Sequence, residues 1–149
     1  MILEFESQVL NIPDYNNLIA LCLDIFSQNT DRKFQNTTVS VAIVSENTIQ
    51  HLNAQYRNKD EITDVLSFNL MSDYSSEDMT LGEILICYNK ALAQSQKLGH
   101  SIEYEIAILC LHGLCHLIGY DHQTDEDYQK MKEKEIELLA IVKQHYSFS

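Results

Sequence analysis

The apolar positions change period several times along the chain, and each change marks a new element. Residues 1–10, MILEFESQVL, alternate in part and predict a strand. After Pro13, placed where a first helical turn tolerates proline, Tyr15, Leu18, Ile19, Cys22, Ile25 and Phe26 recur every three or four residues. That is the spacing of an amphipathic helix. The β-branched, alternating run Thr38–Val44 predicts a second strand. Ser45 then stands as the N-cap of a helix carrying Ile49, Leu52 and Tyr56.

Two further strands are expected over residues 63–68 and 81–88, separated by an acidic, Ser-rich loop from Met71 to Thr80. They are candidates to pair, but a loop of that length fixes no register. A helix from about Asn89 stops at Gly99, a residue suited to a helix C-cap. Ser101 caps the most apolar helix, with Ile102, Ile106, Leu109, Cys110 and Leu117, which should run through the middle of the molecule. Glu103 and Glu105 in its first turn favour the helix dipole. Thr124 followed by Asp127 resembles a capping box. It opens a last helix expected to bury Tyr128, Met131, Leu138, Leu139 and Val142. Asp125, Glu126 and Asp127 read as the solvated first turn of that helix rather than a metal site. The elements alternate without a regular βαβ rhythm, so the expected class is α+β, with helices packed on a small mixed β-sheet. Nothing repeats and no linker divides the chain, so residues 1–149 are expected to form one domain.

Charge narrows the partners. Ten Lys and Arg stand against 22 Asp and Glu, a net −12. Such a chain repels polyanions at long range, which excludes a broad footprint for duplex DNA. A local site that neutralises one phosphate is still compatible with it, and only Arg32 and Arg57 offer a guanidinium. No apolar run reaches membrane-spanning length. The N-terminus lacks the basic and apolar regions of a secretory signal, which favours the cytoplasm. Cys22, Cys87, Cys110 and Cys115 form no CxxC pair and read as buried thiols.

Candidate chemistry concentrates in residues 112–122, HGLCHLIGYDH. Residues four apart on an α-helix differ by about 40° of rotation and about 6 Å of rise, so His112 and His116 project side by side. Two such imidazoles can share a metal. Gly119 lets the chain leave the helix in a left-handed conformation, and His122 can swing back as a third ligand. One histidine in an apolar helix is usually a satisfied core residue. Three of six within eleven residues, at this spacing, point instead to a metal site. The other three, His51, His100 and His145, are scattered and read as surface or cap residues. Cys115 lies about 60° and about 100° around the helix from the two histidines and points elsewhere. Three ligands leave a coordination position for water or a substrate oxygen, which makes hydrolysis the natural reaction.

H-x-x-x-H-x-x-G-x-x-H is the ligand spacing of metzincin metalloproteases, but their general base follows the first histidine. Here Gly113 stands at that position, so peptide hydrolysis by that route lacks its base. A phosphodiester instead needs charge neutralised on its equatorial oxygens, which a metal and one arginine can supply. The stretch from His112 to His122 resembles the signature of the YbeY family, bacterial metal-dependent endoribonucleases of rRNA maturation. Leu52-Asn53 with Tyr56-Arg57, Thr63-Asp64-Val65-Leu66-Ser67-Phe68 and Leu81-Gly82-Glu83-Ile84 resemble further family segments. The chain departs from the family in having Ile62 and Asn69 where prolines are frequent, Glu83 in place of Asp, and Cys115 in place of a common Leu.

The resemblance implies an α+β domain with the three-His site in a cleft, cleavage of single-stranded RNA in small-subunit rRNA maturation and ribosome quality control, and association with ribosomal components. It also places Arg57 beside the metal, where its fork suits a scissile phosphate. By itself Arg57 reads as a solvated helix end. The expected ligands are His112, His116 and His122, holding one Zn²⁺, with Ni²⁺ or another divalent ion also compatible with imidazole. The general base stays open, with Asp121 as a neighbouring carboxylate that orients an imidazole or takes a proton. Two other readings remain open here. One is a metallopeptidase-like or deaminase-like hydrolase that recruits a base such as Glu83. The other is a non-catalytic ribosome assembly factor whose metal fixes the fold.

Overall fold

The computed structural model describes residues 1–70 and 79–148. Four strands, β1 (Ile2–Ser7), β2 (Thr37–Val44), β3 (Val65–Asn69) and β4 (Met79–Cys87), form one sheet in the order β1-β2-β4-β3. β1 and β2 are parallel, as are β2 and β4, while β3 runs antiparallel to β4 at the edge. The sheet is therefore mixed, as expected. Its register is also now fixed, with Leu66 opposite Leu85 and Phe68 opposite Glu83. Most of the loop expected from Met71 to Thr80 lies outside the described residues.

Five helices complete the fold: α1 (Asn16–Gln28), α2 (Glu46–Arg57), α3 (Tyr88–Leu98), α4 (Ile102–Leu117) and α5 (Asp125–His145). The expected caps form. Ser45 accepts from the amide of Thr48, Ser101 from that of Tyr104 and Thr124 from that of Asp127. Gly99 ends α3 at φ +76°. Each cap satisfies a donor or acceptor that the helix end leaves unpaired, which is why these sequences stop and start helices here.

Alternation along the central strands decides the layers. Val39, Val41, Ile43, Ile84 and Ile86 join the large core with α1, α4 and α5. Ala42, Val44, Leu66 and Cys87 pack with Ile49 of α2 in a smaller cluster on the opposite face. Helix α4 touches α1, α3, α5, β3 and β4. It is buried on nearly every side, which accounts for its lack of a polar stripe. All four cysteines are free and buried.

One expectation fails: Tyr128, expected on the buried side of the last helix, is exposed. Tyr56 and Tyr128 are 61% and 54% exposed, although each lies on the apolar stripe of its helix. Glu105 stands in the first turn of α4 as expected, and it is buried there, 2.5 Å from His100 Nε2.

Two glycines set how closely α4 meets the sheet. A Cβ on Gly82 would fall 2.3 Å from the Phe68 carbonyl oxygen and 2.6 Å from Leu117 Cδ2. One on Gly113 would fall 2.9 Å from Ile84 Cγ2. Gly113→Ala should therefore lower stability by about 1–3 kcal/mol, the range for overpacking a core, despite the helix propensity of alanine. In an Ile84→Ala background the same change should cost nothing. Denaturant melts of the single and double variants check this, and an undiminished single variant contradicts it.

Candidate metal centre

The cluster is assembled by one helix end and the turn that follows it. His112 and His116 sit on the last turns of α4, both half-buried. Beyond Leu117 the amide of Gly119 donates to the His116 carbonyl, and that of Tyr120 to the Cys115 carbonyl. This pair of bonds is a Schellman turn, and it requires Gly119 to adopt φ +106°. The chain thus reverses over the helix end and returns His122 to the first two histidines. Asp121 supports the return by accepting the His122 amide at 2.7 Å. One nitrogen from each of the three rings lies within 4.8 Å of the others.

Outer hydrogen bonds decide which nitrogens face the centre. His112 Nδ1 is 2.5 Å from Glu135 Oε1 on α5. His116 Nδ1 is 3.1 Å from the Tyr120 carbonyl oxygen. A carboxylate and a carbonyl only accept, so both Nδ1 atoms carry the hydrogen. Both Nε2 atoms are left as bare lone pairs, and they lie 3.1 Å apart. Two acceptors cannot bond to one another. Only a cation or a proton between them makes that approach favourable. Burial, followed by the neighbouring His112 and His122, holds His116 below the usual histidine range, which disfavours the proton.

The spacing suits a metal. Tetrahedral nitrogens each about 2.0–2.1 Å from zinc lie about 3.3 Å apart, close to the observed pair. His122 is exposed, and its ring is the one with freedom to close the set. Cys115 is fully buried with its thiol pushed up to about 12, chiefly by burial, and takes no part.

An open cavity of about 680 Å³ surrounds the cluster, lined among others by Arg57, Lys59, Asp64, Ser67 and Asp121. Arg57, at the end of α2, is exposed and reaches across the edge strand. Its Nη2 donates to the Ser67 carbonyl oxygen at 2.6 Å, and its guanidinium carbon is 5.5 Å from the Phe68 ring centre. The fold therefore brings Arg57 and the three histidines to one cavity although 55 residues separate Arg57 from His112 in sequence. Asn69 joins the same edge to α4, its Nδ2 donating to the Leu117 carbonyl at 2.8 Å.

Glu83 is not brought to this site. It points from the opposite face of β4 and lines a separate depression with Glu4 and Ser40, so it cannot serve these histidines as a base. Position 113 is closed as well, since it faces Ile84.

Glu135 is the site residue that sequence reasoning missed. It falls on the α5 stripe formed by Met131, Leu138 and Val142, and an acid in an apolar stripe was the available signal.

Comparison with known proteins gives matches along most of the chain. A sequence model of the family described as Endoribonuclease YbeY matches residues 3–143. The Endoribonuclease YbeY of Macrococcus caseolyticus is 40% identical over 134 residues, covering 87% of this chain and 84% of that one. The protein of the same name from Carboxydothermus hydrogenoformans is 38% identical over 140 residues, covering 91% and 96%. The solution structure of TM1509 from Thermotoga maritima superposes with a TM-score of 0.66 at 28% identity, covering 95% of this chain and 89% of the other.

The role of Glu135 is directly testable. Outer partners of metal-bound histidines are worth about 10–100-fold in metal affinity. Glu135→Leu should weaken zinc binding by that factor in competition with a chelator, while circular dichroism stays that of the parent. Unchanged affinity contradicts the role.

Proposed function

The chain belongs to the Endoribonuclease YbeY family, and from that premise we propose that it is a metal-dependent endoribonuclease cleaving single-stranded RNA in the maturation and quality control of small-subunit rRNA. The observation that carries the metal dependence is the pair of bare Nε2 atoms 3.1 Å apart. His112, His116 and His122 hold one divalent cation, which we take to be Zn²⁺. When bound, it supplies Lewis acidity toward a phosphoryl oxygen and lowers the pKa of bound water.

The remaining work falls to the chain's own groups. Arg57 binds the scissile phosphate and steadies the charge that develops on its oxygens. Its bond to the Ser67 carbonyl and its place against Phe68 hold the guanidinium ready at low entropic cost. Lys59 lines the same cavity and adds a second positive charge. Glu135 and the Tyr120 carbonyl hold their imidazoles in the ligating tautomer. Asp121 supports the turn that carries His122.

A peptidase reading loses ground because neither position 113 nor Glu83 offers a base. We further propose that residues 1–149 are one domain built around α4, and that the protein works in the cytoplasm. No helix among the described residues is long and apolar enough to cross a membrane. With a net charge of −12, the chain alone attracts RNA weakly, so a ribosomal small-subunit component delivers the substrate.

His116→Ala should lose metal and RNA cleavage together. Arg57→Ala should keep the metal and slow cleavage by about 10²–10³, the range for a lost charge-stabilising donor. Elemental analysis paired with a ribonuclease assay before and after chelation measures both. Cleavage that survives metal removal refutes the metal dependence. Normal turnover by Arg57→Ala removes that residue from the reaction. If chelation melts the domain and the metal-loaded protein cuts no RNA, the protein is a structural assembly factor.

A further inference from the structure

A second, smaller cavity adjoins the histidines on the side away from Arg57. It holds about 250 Å³ and shares Asp64, Val65, His112 and His122 with the larger one. Its apolar walls come from Ile108, Leu109 and Met131, with Val65 at the shared edge. Tyr128 lines it while 54% exposed. We propose that this cavity is a nucleobase subsite, in which Tyr128 stacks on the base of a nucleotide flanking the phosphate to be cut. This rests on the endoribonuclease reading and names where the substrate's base is held.

Three observations point to a base. The volume lies below the roughly 300–1,000 Å³ that takes a whole small-molecule ligand, so it suits one ring system. Glu105, Glu135 and Asp64 line it against the single cation Lys132, whereas the larger cavity sets both Arg57 and Lys59 against Glu61, Asp64 and Asp121, so the smaller cavity is the more repellent to a phosphate. A neutral planar group between apolar walls meets no such penalty, and its amino edge can donate to a carboxylate. The phosphate belongs across the histidines, where Arg57 and Lys59 lie.

The third observation is the placement of Tyr128. The stripe of α5 reads Tyr128, Met131, Glu135, Leu138 and Val142. Leu138 and Val142 fill the core, while Tyr128, Met131 and Glu135 line the cavity. An exposed aromatic ring beside a phosphate-handling centre is the standard means of holding an unpaired base without reading its sequence.

The test uses the full-length, zinc-loaded protein and a short oligonucleotide made uncleavable by a methylenephosphonate, with carbon in place of the bridging oxygen, at the cut site. A set of matched oligomers carries one abasic residue at each position flanking that site. At low salt the parent protein should bind the intact oligomer about 5- to 100-fold more tightly than one member of the abasic set, the range for one base–aromatic stack. Tyr128→Ala should bind all members alike, at the weaker level, and Tyr128→Phe should restore the discrimination. Equal binding of intact and every abasic oligomer by the parent overturns the subsite. So does a Tyr128→Ala variant that still discriminates. The binding readout is independent of catalysis. Discrimination by a protein that never cuts the cleavable strand sinks the endoribonuclease reading and leaves the subsite standing. Cleavage without discrimination does the reverse.

Discussion

His112 and His116 present unprotonated Nε2 atoms to each other at 3.1 Å because each ring has spent its hydrogen elsewhere, on Glu135 and on the Tyr120 carbonyl. That arrangement is electrostatically unfavourable until a cation enters it. Much of the surrounding structure serves to impose it. Helix α5 brings the carboxylate, and the Schellman turn at Gly119 brings both the carbonyl and His122. The core beneath α4 keeps the helix from rotating either ring away. Lone pairs held together in advance cost the cation little reorganisation when it binds.

The same helix has to be a core element and a ligand platform at once. Gly113 and Gly82 let α4 lie close on β4, and Asn69 ties its last carbonyl to the edge strand. Close packing on the sheet fixes where the helix ends, and the helix end is where the histidines lie. The edge position of β3 matters equally. It leaves one side of the cluster open, with Arg57 folded over that edge onto Ser67 and Phe68. A wide approach is what a polymeric substrate requires, and Arg57 and Lys59 both line it.

Much of this is legible in the sequence where the signal is local. The caps at Ser45, Ser101 and Thr124 depend on hydrogen bonds spanning three residues. The His112–His116 pair and the glycine turn depend on helix geometry alone. Features that depend on tertiary placement escape it. Tyr128 occupies a core-stripe position, but its ring lines the cavity beside the histidines and is exposed there. Glu83 is near the histidines in no sense that sequence distance reveals, since strand alternation sends it to the far face. Glu135 lies 23 residues from the imidazole it holds. The role of Arg57 was suggested by family resemblance, not by its own neighbours in the chain.

The account stands on the protonation pattern of three rings, which long-range ¹H–¹⁵N correlation spectroscopy reads directly on histidine-labelled protein. With one equivalent of zinc, His112 and His116 should show protonated Nδ1 and metal-shifted Nε2 resonances, and His122 should lose its exposed-ring pattern. If all three rings keep their metal-free spectra in zinc, or if His112 and His116 carry their hydrogen on Nε2, the central claim is wrong.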